Sequence, residues 1–216
     1  VFRQGRLEEA LDRLEVFAGD ADFPIGHNII RFDLPHLVAA RPRLAALGRR
    51  PIDTLWLNPL AFPRNPYHRL VKHHHDGRLQ AGHVNDPELD ARLVFEVLGN
   101  QLDAFGQQAS EAPDAVAAYH FLTTAAPDSD GFDAVFSRVR GAPRPDRAAA
   151  EAAIRAMLAG RACTQRVEET IGRLSSPQLG WPTAYALSWI SVAGGDSVMP
   201  PWVRAQFREA ELIVRN

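Results

Sequence analysis

Two short segments hold the side chains whose types and order suit chemistry. The first reads Gly26-His27-Asn28-Ile29-Ile30-Arg31-Phe32-Asp33, and the second reads Asn85-Asp86-Pro87-Glu88-Leu89-Asp90-Ala91-Arg92-Leu93. Asp90 follows Asp33 by 57 positions, in the first turns of a strongly apolar helical pattern. A carboxylate at the start of a buried helix needs a compensating partner, because burying an unpaired charge is expensive. The positive end of the helix dipole is one such partner, and a bound divalent cation is another.

The elements that must position these residues are legible from periodicity. Leu7, Leu11, Leu14 and Phe17 recur at helical spacing before Gly19. Phe23 to Gly26 predicts a short buried strand delivering the Gly-His-Asn corner. Asp33 then opens a helix expected to run to about Leu47, with Pro35 in its first turn and Pro42 ending or kinking it. Ile52 to Leu57 is β-branched and apolar, which predicts a second strand, and Tyr67 to His75 suggests a helix. Asp86-Pro87 is a helix start whose apolar residues, through Phe105, form two overlapping stripes and predict burial on most sides.

From Gly106 onward the pattern is helical: short pieces between Asp114 and Gly141, a long stretch from Asp146 to Leu174, a helix over Trp181–Val192, and a last one from Trp202. The fold class expected is therefore α/β, with strand–helix–strand–helix over 1–105 followed by an all-helical connector over 106–216.

The ordered set Gly26-His27-Asn28…Phe32-Asp33, Asp53-Thr54-Leu55 and Asp86…Asp90 resembles the later motifs of the DnaQ-like, or DEDD, 3'→5' exonucleases of the ribonuclease H-like fold. The resemblance covers roughly residues 1 to 105. It implies phosphodiester hydrolysis by two Mg²⁺ or Mn²⁺ ions held by four carboxylates, of which Asp33 and Asp90 would be two. It assigns His27, Asn28 and Phe32 to the substrate strand. The basic stretch with Arg69 and Lys72 would form a nucleic-acid-facing edge, or equally a solvated face. The remaining Asp-x-Glu pair belongs on a first strand expected upstream of Val1, which would make this chain an N-terminally incomplete fragment, inactive by itself. Asp20 and Asp22 lie on a turn and do not replace that pair.

In the common subgroup the general base is a histidine five positions before the last Asp. Asn85 stands there and cannot take up a proton usefully, while His83 lies two positions away as a substitute. The segment from Leu57 to Leu93, and the tail from Trp181 to Val203, is similar to exonuclease-like domains fused ahead of RecQ-family ATP-dependent DNA helicases. A helicase domain in the parent chain and nucleic acid, DNA by preference, are thus the implied partners. The sequence itself carries no Gly-x-x-x-x-Gly-Lys-Ser/Thr loop. The rival reading is a catalytically silent nucleic-acid-binding or docking module, and a chance match on an unrelated α/β protein is a third.

Composition sets the outer bounds. The chain has 216 residues, 46% hydrophobic and 23% charged, with a formal net charge of −2, so nucleic acid must be met by a local basic patch. Cys163 is the only cysteine, which excludes an intrachain disulfide and fits a reducing cytoplasm. Arginine supplies all but one of the basic side chains, Lys72 being the exception, a weak hint of GC-rich bacterial coding DNA. No apolar run reaches the roughly 18 residues of a membrane span. His73-His74-His75 point in different directions on a helix and cannot converge on one ion.

Overall fold

The computed structural model describes residues 6–65, 68, 70, 87–162, 164–174 and 176–193. The chain is mostly helical, with one small parallel sheet. Helix α1 (Leu7–Ala18) precedes strand β1 (Ile25–Gly26). One π-helical turn (Ile29–Asp33) leads into α2 (Leu34–Ala40), and a 3₁₀ segment (Pro42–Arg49) follows. Strand β2 (Ile52–Asp53) pairs with β1 in parallel, Ile25 opposite Ile52 and Gly26 opposite Asp53. Then come α3 (Thr54–Ala61), α4 (Pro87–Glu111), α5 (Pro113–Thr123), α6 (Asp130–Arg140), α7 (Arg147–Leu158), α8 (Thr164–Gly172) and α9 (Gly180–Ala193). No described helix is long and apolar enough to cross a membrane.

Four differences from the sequence expectation have physical causes. The strand expected over Ile52–Leu57 lasts two residues, because the Asp53 carboxylate accepts from Leu55 N–H at 3.0 Å and turns the chain into α3. The helix expected over 33–47 does break at Pro42 as anticipated, with Arg41 extended, but it opens in a π turn at Asp33 and is 3₁₀ beyond the break. The stretch 146–174 is two helices, since Gly160 takes a positive φ of 70° between α7 and α8. Finally, α4 continues past Gly106 to Glu111, and Phe95 on it is 65% exposed, so its apolar stripes are not both buried.

One buried cluster joins Ile52, Leu57 and Leu60 to Phe105 and to side chains of α5, α6, α7, α8 and α9. It crosses position 105 without a seam. Backbone acceptors of α3 are met from the helical side: Gln101 Nε2 donates to Thr54 O, Gln108 Nε2 to Leu60 O and Ala61 O, Tyr185 OH to Trp56 O, and Ser188 Oγ to Pro59 O. Carbonyls in the last turn of a helix lack intrahelical donors, so Gln108 and Ser188 complete the end of α3, while Gln101 and Tyr185 tie carbonyls of its first turn to the helical side.

At the other contact, α6 approaches so closely that a Cβ on Gly131 would lie 2.5 Å from Pro51 O and 2.6 Å from Arg50 O. Gly131→Ala is expected to lower unfolding free energy by about 1–3 kcal/mol, the usual cost of overpacking, in urea titration. Gly99→Ala, in the same experiment, faces open space within α4 and is expected to stabilise by about 0.5–1 kcal/mol.

His120 on α5 is fully buried and held at both nitrogens. Nε2 bonds Asp133 Oδ1 at 2.7 Å, while Arg140 Nη1 donates to Nδ1 at 2.9 Å. Burial holds its pKa below the ordinary 6.5, against the opposing pull of Asp133, and Arg140 and Arg144 add to the lowering. Protonation would set a new N–H against the Arg140 guanidinium. The neutral ring therefore contributes its stability above about pH 6.5, and that contribution is lost as pH falls through the lowered folded value. Thermal melts from pH 7.5 down to 5 are expected to show a steeper acid decline for the wild type than for His120→Gln.

Candidate functional site

Both strands are parallel, so both end on the same side of the sheet, and the residues that follow them share one corner. Gly26 ends β1 under the side chain of Ile29, where a Cβ would come within 2.6 Å of Ile29 Cβ. Asn28 then adopts φ 70°, ψ 24°, a left-handed conformation that asparagine tolerates better than most residues. This reverses the chain into the π turn that carries Arg31, Phe32 and Asp33.

Asp53, at the end of β2, holds the corner. It is fully buried, and its carboxylate accepts from three backbone amides: Asn28 N and Leu55 N on Oδ1, at 2.8 and 3.0 Å, and Ile30 N on Oδ2 at 3.1 Å. One side chain thus caps the start of α3 and braces the turn after β1. The one signal for this cap in the sequence is an Asp two positions before Leu55.

Thr54 links the corner to His27. Its hydroxyl donates to Gly26 O at 3.2 Å and lies 3.0 Å from His27 Nδ1. A hydroxyl has one proton, so with that proton on Gly26 O, His27 Nδ1–H is the donor and Nε2 carries a bare lone pair. Nε2 is buried without a hydrogen-bond partner in the structure. Burial lowers the His27 pKa, while Asp53 and the His68 backbone oppose that shift, so the neutral ring is favoured.

A second chain of bonds continues inward. Gln101 Nε2 also donates to Asn58 Oδ1 at 2.9 Å, and Asn58 Nδ2 lies 3.0 Å from His68 Nδ1. His68, too, has its pKa lowered by burial. Thr54, Asn58, His68 and Gln101 were not singled out for this role in the sequence; amides at 58 and 101 carry no spacing signal that would reveal their meeting.

Asp33 stands where the π turn enters α2. It is exposed by area, yet protein on one side desolvates it and raises its pKa; nearby Asp53 adds to the rise, while its own backbone hydrogen bond and His36 oppose it. Phe32 is 58% exposed, its ring 4.7 Å from that of His36, whose Nδ1 bonds Phe32 O. Asp90 lies in the first turn of α4, the helix that packs against β1, and one of its carboxylate oxygens is buried. The structure thus gathers His27, Asn28, Phe32 and Asp33 on one turn and sets Asp90 on a neighbouring helix. His83, Asn85, Arg69 and Lys72 lie outside the described residues, as do His73, His74, His75, Cys163 and Trp202.

Among the described residues there is no group of three or more His, Cys, Asp or Glu side chains able to hold a metal ion. Two carboxylates are half of the donor set expected for a pair of Mg²⁺ or Mn²⁺ ions, so the described residues alone do not fit a two-metal centre.

Asp53→Ala is expected to cost about 3–5 kcal/mol, since it leaves buried amide donors without an acceptor. In hydrogen exchange by NMR, the amides of Asn28, Ile30 and Leu55 should lose protection together in a milder Asp53→Asn variant. Independent exchange of the three would show that the carboxylate does not tie them. No family model, curated protein or solved structure matches the chain.

Proposed function

We propose that the chain carries the second half of a DnaQ-like exonuclease domain of ribonuclease H-like fold, continued by a helical region, and that it handles nucleic acid. The observation that carries this reading is the corner at the shared carboxyl ends of β1 and β2, held by Asp53. In open α/β sheets, ligands bind at that edge. His27 and Asn28 sit there on a braced turn, with Asp33 a few residues on and the α4 that bears Asp90 packed beside β1. The order of these residues resembles that of the exonuclease motifs, with Asn85 in the place of the base.

In this reading the chain's own residues bind and orient a strand. His27 braces the turn through Thr54, and Asn28 offers a carboxamide. Mg²⁺ or Mn²⁺, when held by a complete carboxylate set, would supply the activated water and stabilise the leaving oxygen. Asp33 and Asp90 would contribute to that set, and the remaining carboxylates, like a RecQ-type helicase domain, belong to the proposed parent protein. The second reading, a silent docking module, is favoured by the two-carboxylate donor set and by Asn85 in the place of the base.

Labelled single-stranded DNA with Mn²⁺, given to this chain and to the full product of its gene, separates the two. The expected result is binding without cutting by the chain, and 3'-end shortening by the full product that Asp33→Asn reduces by more than about 100-fold, beyond what loss of an outer-shell partner costs. Binding without cutting by the full product would select the docking module. Absence of binding by either protein would overturn both readings.

A further inference from the structure

A pocket of about 300 Å³ opens between the Asn28–Arg31 turn, the start of α3 and the start of α9. That volume is at the small end of the range for small-molecule sites, about 300–1,000 Å³. Its walls are largely aromatic. Trp56 meets Trp181 edge to face with ring centres 5.0 Å apart, and Trp181 is followed one helical turn later by Tyr185, with centres 5.7 Å apart. The Tyr185 hydroxyl is already engaged with Trp56 O, so its ring, and not its oxygen, is what the pocket receives.

These rings are not simply core. Trp56, Trp181 and Tyr185 are half-buried, and the Arg31 guanidinium lies over the Trp56 ring, 5.3 Å from its centre. Arg31 is an exposed residue, and among the described residues no carboxylate forms an ion pair with it. A tryptophan face met by a long cationic side chain is a face that a planar ring can take over. Two polar groups sit on the same lining. Asn28 offers an amide with both donor and acceptor, and His68, whose Nδ1 faces Asn58 Nδ2, is left with its Nε2 to donate.

We propose that this pocket takes one nucleotide unit of a single strand, its base stacked on the Trp56 face with its rim against Trp181, its phosphate on Arg31, and its base edge read by Asn28. The chemistry required is a flat, weakly hydrated π surface beside a negative charge, with hydrogen-bonding groups along the ring edge; a nucleotide supplies all three. A base entering over Trp56 displaces the guanidinium from the ring and frees it for the phosphate. The site deepens the nucleic-acid reading above and rests on it. It also enlists α9, so the helical region contributes half of the wall.

The test is tryptophan fluorescence with anisotropy, on the whole chain, against labelled oligo-dT, a duplex of the same length, and AMP. The expected result is saturable quenching by oligo-dT, weaker binding of duplex, and affinity for the single strand reduced about ten-fold or more in Arg31→Gln and in Trp181→Leu. Arg31 is exposed and Asn28→Gly keeps the left-handed turn, so these two variants report on the pocket even where Trp181→Leu fails to fold. Single-strand binding unchanged in Arg31→Gln and Asn28→Gly would overturn the pocket and leave the nucleic-acid reading standing. Quenching by AMP without binding of oligo-dT would keep the nucleotide site and overturn its strand. Binding of neither would overturn both.

Discussion

A carboxylate with no exposure to water, sharing its two oxygens among three main-chain amides, is the interaction on which the rest of this structure depends. Asp53 stands at the end of β2, but two of its three donors, Asn28 N and Ile30 N, lie on the turn after β1. A two-residue parallel pair is a weak element in isolation. Here the pairing is locked by charge-assisted bonds that run across the strand ends and not along the ladder. The third donor, Leu55 N, makes the same group the cap of α3. Position of the corner, direction of α3 and identity of the residues at the sheet edge are thus settled by one side chain.

What was legible in the residues was the local part. The Gly-His-Asn reversal could be anticipated from glycine and asparagine, and the starts of α1, α4 and α9 from periodicity and capping. Strand Ile52–Asp53 was misjudged in length because Thr54-Leu55-Trp56-Leu57 is as apolar as a buried strand, and a buried short helix reads the same way. The long helical stretch after Asp146 shows no internal boundary in its alanine-rich pattern, and the backbone at Gly160 divides it. The polar links Gln101–Asn58 and Gln108–Leu60 were invisible, since separations above forty residues leave no mark in a periodic pattern.

The candidate site divides along the same line. His27, Asn28, Phe32 and Asp33 are neighbours in sequence, so their meeting required no tertiary knowledge. The Trp56–Trp181–Tyr185 wall joins residues more than a hundred positions apart. Aromatics at helical spacing on α9 are usually core, and Trp181 does pack against Phe132. Arg31 reaches over Trp56 from the corner, a contact that composition does not foretell.

The side chains that close the carbonyls of α3 have a consequence for how such a protein can change over evolutionary time. Gln101, Gln108, Tyr185 and Ser188 come from α4 and α9, yet every acceptor they serve belongs to α3. A recombination that joined the first hundred residues to a foreign helical partner would strand the last-turn carbonyls of Pro59, Leu60 and Ala61 among them. Gene shuffling at that point is therefore penalised by main-chain chemistry that conservative side-chain exchange cannot repair. The two stretches are bound to travel as one inherited piece.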